Sequence, residues 1–209
     1  LAREQGAPDE GAFSFLPSVE SDKLRDVLRG LEFRATKLLL RDRRKPADWT
    51  GALLVGIHRD VFGKFFPEHA GICRRGEALF GDRAGPAPEQ LDALLQQVVI
   101  AIRSHLVAVQ SEPDPEVQAE LAFMYAAIDH AEMLRIHPFI DGNGRWARIV
   151  TSAFLYDCGF PVGSIVRKAG KAEYVAALNR CMDNNEPGDL ANILLRGYLD
   201  VLKRRNQQP

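Results

Sequence analysis

Between residues 91 and 128 the apolar side chains recur on a helical period, and a chain patterned in this way cannot lay the same residues along one face of a β-sheet. Leu91, Leu94, Leu95, Val98, Ile102 and Leu106 fall at steps of three and four, and after Pro115 the pattern restarts with Val117, Leu121, Met124, Ala127 and Ile128. Such spacing puts each set on one side of a helix. The same period runs through Leu24, Val27, Leu28, Leu31, Ala35, Leu38 and Leu39, where Ser21 and Asp22 can cap the start and Pro46 disfavours helical geometry in Lys45. Trp49, Leu53, Leu54, Ile57 and Val61 predict a helix closing near Gly63, and shorter helices are expected at 172–182 and 188–203 around the turn "DNNEPGD". No strand-like alternation of useful length occurs. The expected class is all-α, a helical bundle with one break: glycines and prolines in 67–88 interrupt the period and predict a loop with a small β-hairpin, extended at Ile72, Cys73 and Arg74.

The first 20 residues are rich in Gly, Pro and acids and read as an arm or linker, leaving 21–209 as one helical domain. Hydrophobic residues make up 46% and charged residues 26%, which is the composition of a chain able to bury a core. The formal net charge of -1 argues against a nucleic-acid partner, since such modules carry a basic excess. The apolar run at 98–102 is closed by Arg103, so no stretch is expected to span a bilayer, and the charged N-terminus lacks an apolar signal core. Cys73, Cys158 and Cys181 form no CxxC pair, which predicts neither a disulfide framework nor a zinc site. A reducing, cytoplasmic setting is expected, in the chain's own cell or in a host cytoplasm after delivery.

The chemistry concentrates in "HPFIDGNGRWAR", residues 137–148. Pro138 breaks the preceding helix, and the Asp141-Gly142-Asn143-Gly144 turn can start the next, which Gly159 and Pro161 end. A helix N-terminus offers unpaired N–H groups and the positive end of the dipole, and glycines let an anion come close. Arg145 and Arg148, three residues apart, project from one side of that helix and can clamp phosphate oxygens. An acid beside a polyphosphate site makes sense where Asp141 holds a cation that bridges the phosphates, and Mg²⁺ is the natural choice. His137 is the side chain in the loop able to accept a proton near neutral pH. Together these features read as nucleotidyl or phosphoryl transfer; which phosphate is attacked stays open on this reasoning alone.

The stretch resembles the signature of the Fic family, HPFx(D/E)GN(G/K)RxxR, at every specified position. The likeness extends to "IHRDVFGKFFPEHAG", which is similar to the helix before that family's flap, and to "GFPV" and "EYVAAL" beyond the motif, so about 49–202 is covered. The resemblance implies a Fic-type fold and a protein adenylyltransferase: His137 deprotonates a Ser, Thr or Tyr hydroxyl of a target protein, the oxygen attacks the α-phosphate of ATP, AMP is transferred and pyrophosphate leaves. It further implies that Asp141 holds Mg²⁺, that Gly142, Asn143 and Gly144 form the anion hole, that Arg145 and Arg148 bind the outer phosphates, and that Tyr174 lines the adenine pocket. Gly144 stands where the Doc-like, phosphorylating branch commonly has Lys, which favours AMP transfer. Ile72, Cys73 and Arg74 would pair with the target as an added strand. Many members are restrained by (S/T)xxxE(G/N), and no Ser or Thr here is followed four residues later by Glu. The brake is therefore expected in an antitoxin-like partner or in sequence outside this chain. Transfer of another phosphate-containing group, and a catalytically idle toxin–antitoxin module, remain the alternatives.

Overall fold

The computed structural model describes residues 42–80, 83–160 and 170–205, with side chains to 203. The helix expected at 22–39 and the N-terminal arm lie outside these residues. Six helices follow in order: α1 (Gly51–Phe62), α2 (Leu91–Ser111), α3 (Pro115–Ile136), α4 (Asn143–Asp157), α5 (Lys171–Asn184) and α6 (Gly188–Arg205). Between α1 and α2 stand two short antiparallel strands, β1 (Leu79–Phe80) and β2 (Arg83–Ala84), with Leu79 opposite Ala84 and Phe80 opposite Arg83. The fold class is the expected one, helical with a small hairpin. The strands, however, come later than Ile72, Cys73 and Arg74, which belong to neither.

α3 is the central element and packs on α2, α4, α5 and α6. Asp114 caps it by accepting from the N–H groups of Glu116 and Val117, and Pro115 occupies the first turn, where its missing N–H costs nothing. Its buried face is built largely from small residues, Ala122, Ala126, Ala127 and Ala131, so neighbouring helices come close. α4 is buried on nearly all sides, with Trp146, Ala147, Val150 and Leu155 at 0% exposure. A helix enclosed in this way holds the residues of its first turn in fixed positions.

α2 together with the turn before it, residues Pro88–Ser111, is long and apolar enough to cross a membrane by length and composition. The expectation that no stretch has that capacity was too strict, because a single arginine does not outweigh so many apolar neighbours. In the fold, Leu91, Leu95, Val98, Ile102 and Leu106 face the core. Arg103 donates to the carbonyls of Trp49 (2.7 Å) and Ala47 (3.3 Å).

The end of α4 ties down the chain that leads into α1. Asp157, 0% exposed at its side chain, accepts from the backbone N–H of Arg44 (2.9 Å), from Arg44 Nε (2.9 Å) and from Trp49 Nε1 (3.0 Å). Burial pushes its carboxyl up, and the Arg44 contacts pull the other way. Removing the carboxylate leaves a buried indole N–H and a nearly buried guanidinium without that acceptor. Asp157→Ala is expected to cost about 3 kcal/mol and Asp157→Asn clearly less; urea unfolding of the two variants checks the order.

Candidate active site

The motif occupies the turn between α3 and α4. His137 caps the C-terminus of α3 in the left-handed region (φ 48°, ψ 58°), with its N–H on the Met133 carbonyl at 3.3 Å. Pro138 then prevents the helix from continuing. The loop closes through Asn143, which accepts from the Phe139 N–H (2.9 Å) and donates to the Phe139 carbonyl (2.7 Å). Asn143 is 2% exposed. Its side chain is thus spent inside the loop, and what it can offer an anion is its backbone N–H. Gly142 starts α4 at φ 81°, and a Cβ there would stand 2.6 Å from the Phe62 ring, so no other residue fits. Gly142, the N-cap residue, has no side chain with which to cap this 15-residue helix. Gly144 and Arg145 lie on its first turn, and Arg148 one turn on, with a guanidinium nitrogen 3.6 Å from where a Gly144 Cβ would sit.

Asp141 is half-buried in the loop, and its carboxylate accepts from the Gly142 N–H at 2.5 Å. Among the described residues no cluster of three or more His, Cys, Asp or Glu side chains could cage a metal. A single accessible carboxylate beside a helix N-terminus still fits Mg²⁺, which keeps several waters and takes its remaining ligands from substrate phosphates.

One residue the sequence reading passed over organises this loop. His58, on α1, is fully buried and bonds twice: Nδ1 accepts from the Gly71 N–H (2.9 Å), so Nε2–H donates to the Asp141 carbonyl (2.9 Å). Its ring stacks on Phe139 with centroids 3.7 Å apart. Trp146 packs edge-on against the other side of Phe139 (5.0 Å, 87°) and donates from Nε1 to the Leu54 carbonyl (2.8 Å). A signal was present. Leu54, Ile57, His58, Val61 and Phe62 share one helical face, which makes His58 a core residue in need of partners.

The expected flap residues divide. Ile72 is 48% exposed. Cys73 is half-buried with its Sγ 3.9 Å from an Asp92 carboxylate oxygen, and burial together with that acid raises its thiol. Arg74 is 5% exposed and turned inward, its backbone N–H on the Pro138 carbonyl at 2.9 Å. Because that hydrogen bond runs to the motif loop, the segment cannot form a free sheet edge at Arg74. The hairpin at 79–84 does reach the motif: Phe80 lies parallel to the His137 ring (centroids 5.0 Å, 6°). Arg83 forms a bidentate pair with Asp183 on α5. Tyr174 is half-buried on α5, its hydroxyl 2.6 Å from His130 Nε2. Thr151 donates to the Ala147 carbonyl (2.8 Å), so it accepts from His130 Nδ1–H (2.9 Å), and Tyr174 is left to donate to Nε2.

Three imidazoles are held neutral by burial. His137 is lowered to about 4, with the Arg74 charge adding to desolvation; His58 is lowered to about 4; His130 falls to about 3, with Arg148 contributing. Each titrates near 6.5 when unfolded, so the stability they lend is complete above that pH and is lost as pH falls toward 4. Urea midpoints are expected to drop steeply between those limits, and a flat profile would show the imidazoles to be solvated. His58→Phe keeps the stack on Phe139 but leaves the Gly71 N–H and Asp141 carbonyl unpaired. It should cost about 2 kcal/mol and speed hydrogen exchange at the Gly71 amide.

Residues 49–155 match the model of the Fic/DOC family. A protein adenylyltransferase Fic of Nematostella vectensis is 35% identical over 127 residues, which are 61% of this chain and 27% of that protein. One of Drosophila grimshawi is 32% identical over 121 residues, 58% of this chain and 23% of that protein. The chain therefore spans about a quarter of the length of these curated relatives. Among solved structures, Fic-1 from C. elegans superposes with a TM-score of 0.65 at 22% identity, over 89% of this chain and 52% of that one. BepC from Bartonella tribocorum, crystallised with bound AMPPNP, gives a TM-score of 0.61 at 20% identity, over 82% and 84% of the two chains. These likenesses support the fold. With a family match over more than half of the sequence, running from Trp49 through the motif into the buried α4, the chain belongs to the Fic/DOC family.

Proposed function

We propose that this chain carries the catalytic unit of a protein adenylyltransferase, which moves AMP from ATP to a Ser, Thr or Tyr hydroxyl of a target protein. The observation that carries the reading is the placement of a half-buried, neutral His137 at the end of α3 beside the N-terminus of α4, whose N-cap is a glycine. Relatives bearing the name adenylyltransferase and a structural neighbour with bound AMPPNP support it.

In this reading the N–H groups of Gly142, Asn143 and Gly144 and the side chains of Arg145 and Arg148 hold the phosphates. Asp141 would hold Mg²⁺, which supplies positive charge to the α- and β-phosphates. His137 takes the proton of the target hydroxyl as its oxygen bonds to the α-phosphorus; the bond to the β-phosphate oxygen breaks and pyrophosphate leaves. A base kept neutral by burial is ready at pH 7 without first losing a proton. Tyr174 forms a wall of the nucleotide pocket through its ring, since its hydroxyl is engaged by His130. The target's extended segment pairs with β1 or β2, near exposed Ile72 and half-buried Cys73. Restraint is assigned to a separate antitoxin-like protein or to sequence outside this chain, in a cytoplasm where MgATP is abundant.

Labelled ATP incubated with host-cell extract tests this, with mass spectrometry of the modified protein. A mass gain equal to AMP supports the reading; a gain of phosphate alone moves the chain to the phosphorylating branch. His137→Ala is expected to lower transfer by at least about 10²-fold with the fold retained, and undiminished transfer removes His137 as the base.

A further inference from the structure

The hairpin is too short to fix its own position. Two facing residue pairs give little independent stability. Its salt bridge from Arg83 to Asp183 joins side chains that are 34% and 48% exposed, and solvent screening leaves a pair of this kind little hold on the hairpin. Something else must hold β1 and β2 over the imidazole.

Arg74 stands at the place where that could be done. Its Nη1 donates to the Gly76 carbonyl (2.7 Å) on the strand leaving for the hairpin, and its Nη2 to the Pro86 carbonyl (2.6 Å) on the strand returning. Its Nε donates to the carbonyl of His137 itself (2.8 Å), and its backbone N–H to that of Pro138 (2.9 Å). One residue therefore grips both legs of the hairpin and both carbonyls around the left-handed turn at the base. Gly85 presses against it: a Cβ there would stand 2.8 Å from Nη2. The three acceptors of the guanidinium are backbone carbonyls, so the buried cation has neutral partners at these contacts. Burying a charge in this way is costly, more so than an uncharged filler would be, and the three fixed side-chain bonds are what it gives in return.

We propose that Arg74 is a positioning residue that locks the target-binding hairpin and the His137 backbone into one rigid body. A target strand added to the hairpin is then delivered in register to the imidazole. This rests on the adenylyltransferase reading for its consequence in catalysis, but not for the coupling itself.

Arg74→Lys keeps the charge and loses the fork, and Gly85→Ala pushes on the fork from outside while residue 74 stays an arginine. Both variants should retain cooperative thermal unfolding and bind MgATP, measured by calorimetry, within twofold of the unaltered protein. Both should speed hydrogen exchange in 79–84 by about tenfold or more, corresponding to ~1.4 kcal/mol of lost protection. In NMR spectra the His137 ring protons should lose the ring-current shift that the parallel Phe80 imposes. On a target identified by mass spectrometry, kcat should fall by about 10²-fold at unchanged ATP KM. If both variants keep hairpin protection and the ring-current shift, the proposal is overturned, whatever their activity. If Arg74→Lys fails to fold, Gly85→Ala alone decides by the same readouts. A wild-type protein that binds no MgATP would count against the functional reading, while exchange and NMR would still decide the coupling.

Discussion

Asn143 and Phe139 close the loop between α3 and α4 by exchanging two hydrogen bonds, and the site is built outward from that closure. Phe139 is held fully buried between the His58 ring and the edge of Trp146, so the loop hangs from an aromatic stack that also fixes α1 against α4. Once Phe139 is placed, little freedom remains around it. His137 must turn left-handed to reach Pro138, Asp141 is set by the bond from its carbonyl to His58, and Gly142 must lack a side chain because Phe62 fills the space. A turn that carries His137, Asp141 and a helix N-terminus is thereby tied to the core beneath it. Rigid placement of this kind supplies catalytic power at no cost in reorganisation when the reaction occurs.

The electrostatics follow from the same packing. Burial drives His58 and, with the Arg148 charge adding to it, His130 to the neutral state, where each acts as a donor on one nitrogen and an acceptor on the other. A protonated imidazole would need to donate from both nitrogens, and the Gly71 N–H already faces His58 Nδ1 as a donor. At His137 the guanidinium of Arg74 adds to desolvation in opposing protonation. The cationic groups Arg74 and Arg148 therefore help keep the neighbouring imidazoles of His137 and His130 free of a second proton.

The helices were legible because each buries one face, and that face prints a period on the sequence. Expected and observed limits agree closely for α1, α2 and α3, where Gly63, Pro115 and Pro138 act as stops. The motif was legible for a different reason, since its residues are contiguous and their types are dictated by chemistry. The hairpin was misplaced because strands of two residues carry no alternation to read, and the eye falls instead on the apolar "ICR". Arg74 was expected in the extended segment that pairs with a target; only the fold shows the carbonyls of Gly76, Pro86 and His137 converging on it, the last 63 residues away. His58 was readable in principle, from its position on the buried face of α1. What the sequence could not show was its partner, 83 residues away.

The far end of the motif is anchored by means unlike those at the base. His137 is held through its backbone, by carbonyl contacts to Arg74. Arg148 sits instead on a helix pinned through side chains: Thr151 turns back to Ala147 and receives His130, which in turn receives Tyr174 from α5. Burial raises the Tyr174 hydroxyl to about 12 and, with the Arg148 charge, lowers His130 to about 3, so at neutral pH Tyr174 keeps its proton and His130 stays neutral to accept it. Neither group can be swapped for one that lacks both a ring and a hydrogen-bonding atom without stranding its neighbour in the core. The Arg148 end of the motif is thus set by α5 and the His137 end by the hairpin legs. Because Arg83 joins the hairpin to Asp183 on that same α5, the two anchors are themselves connected.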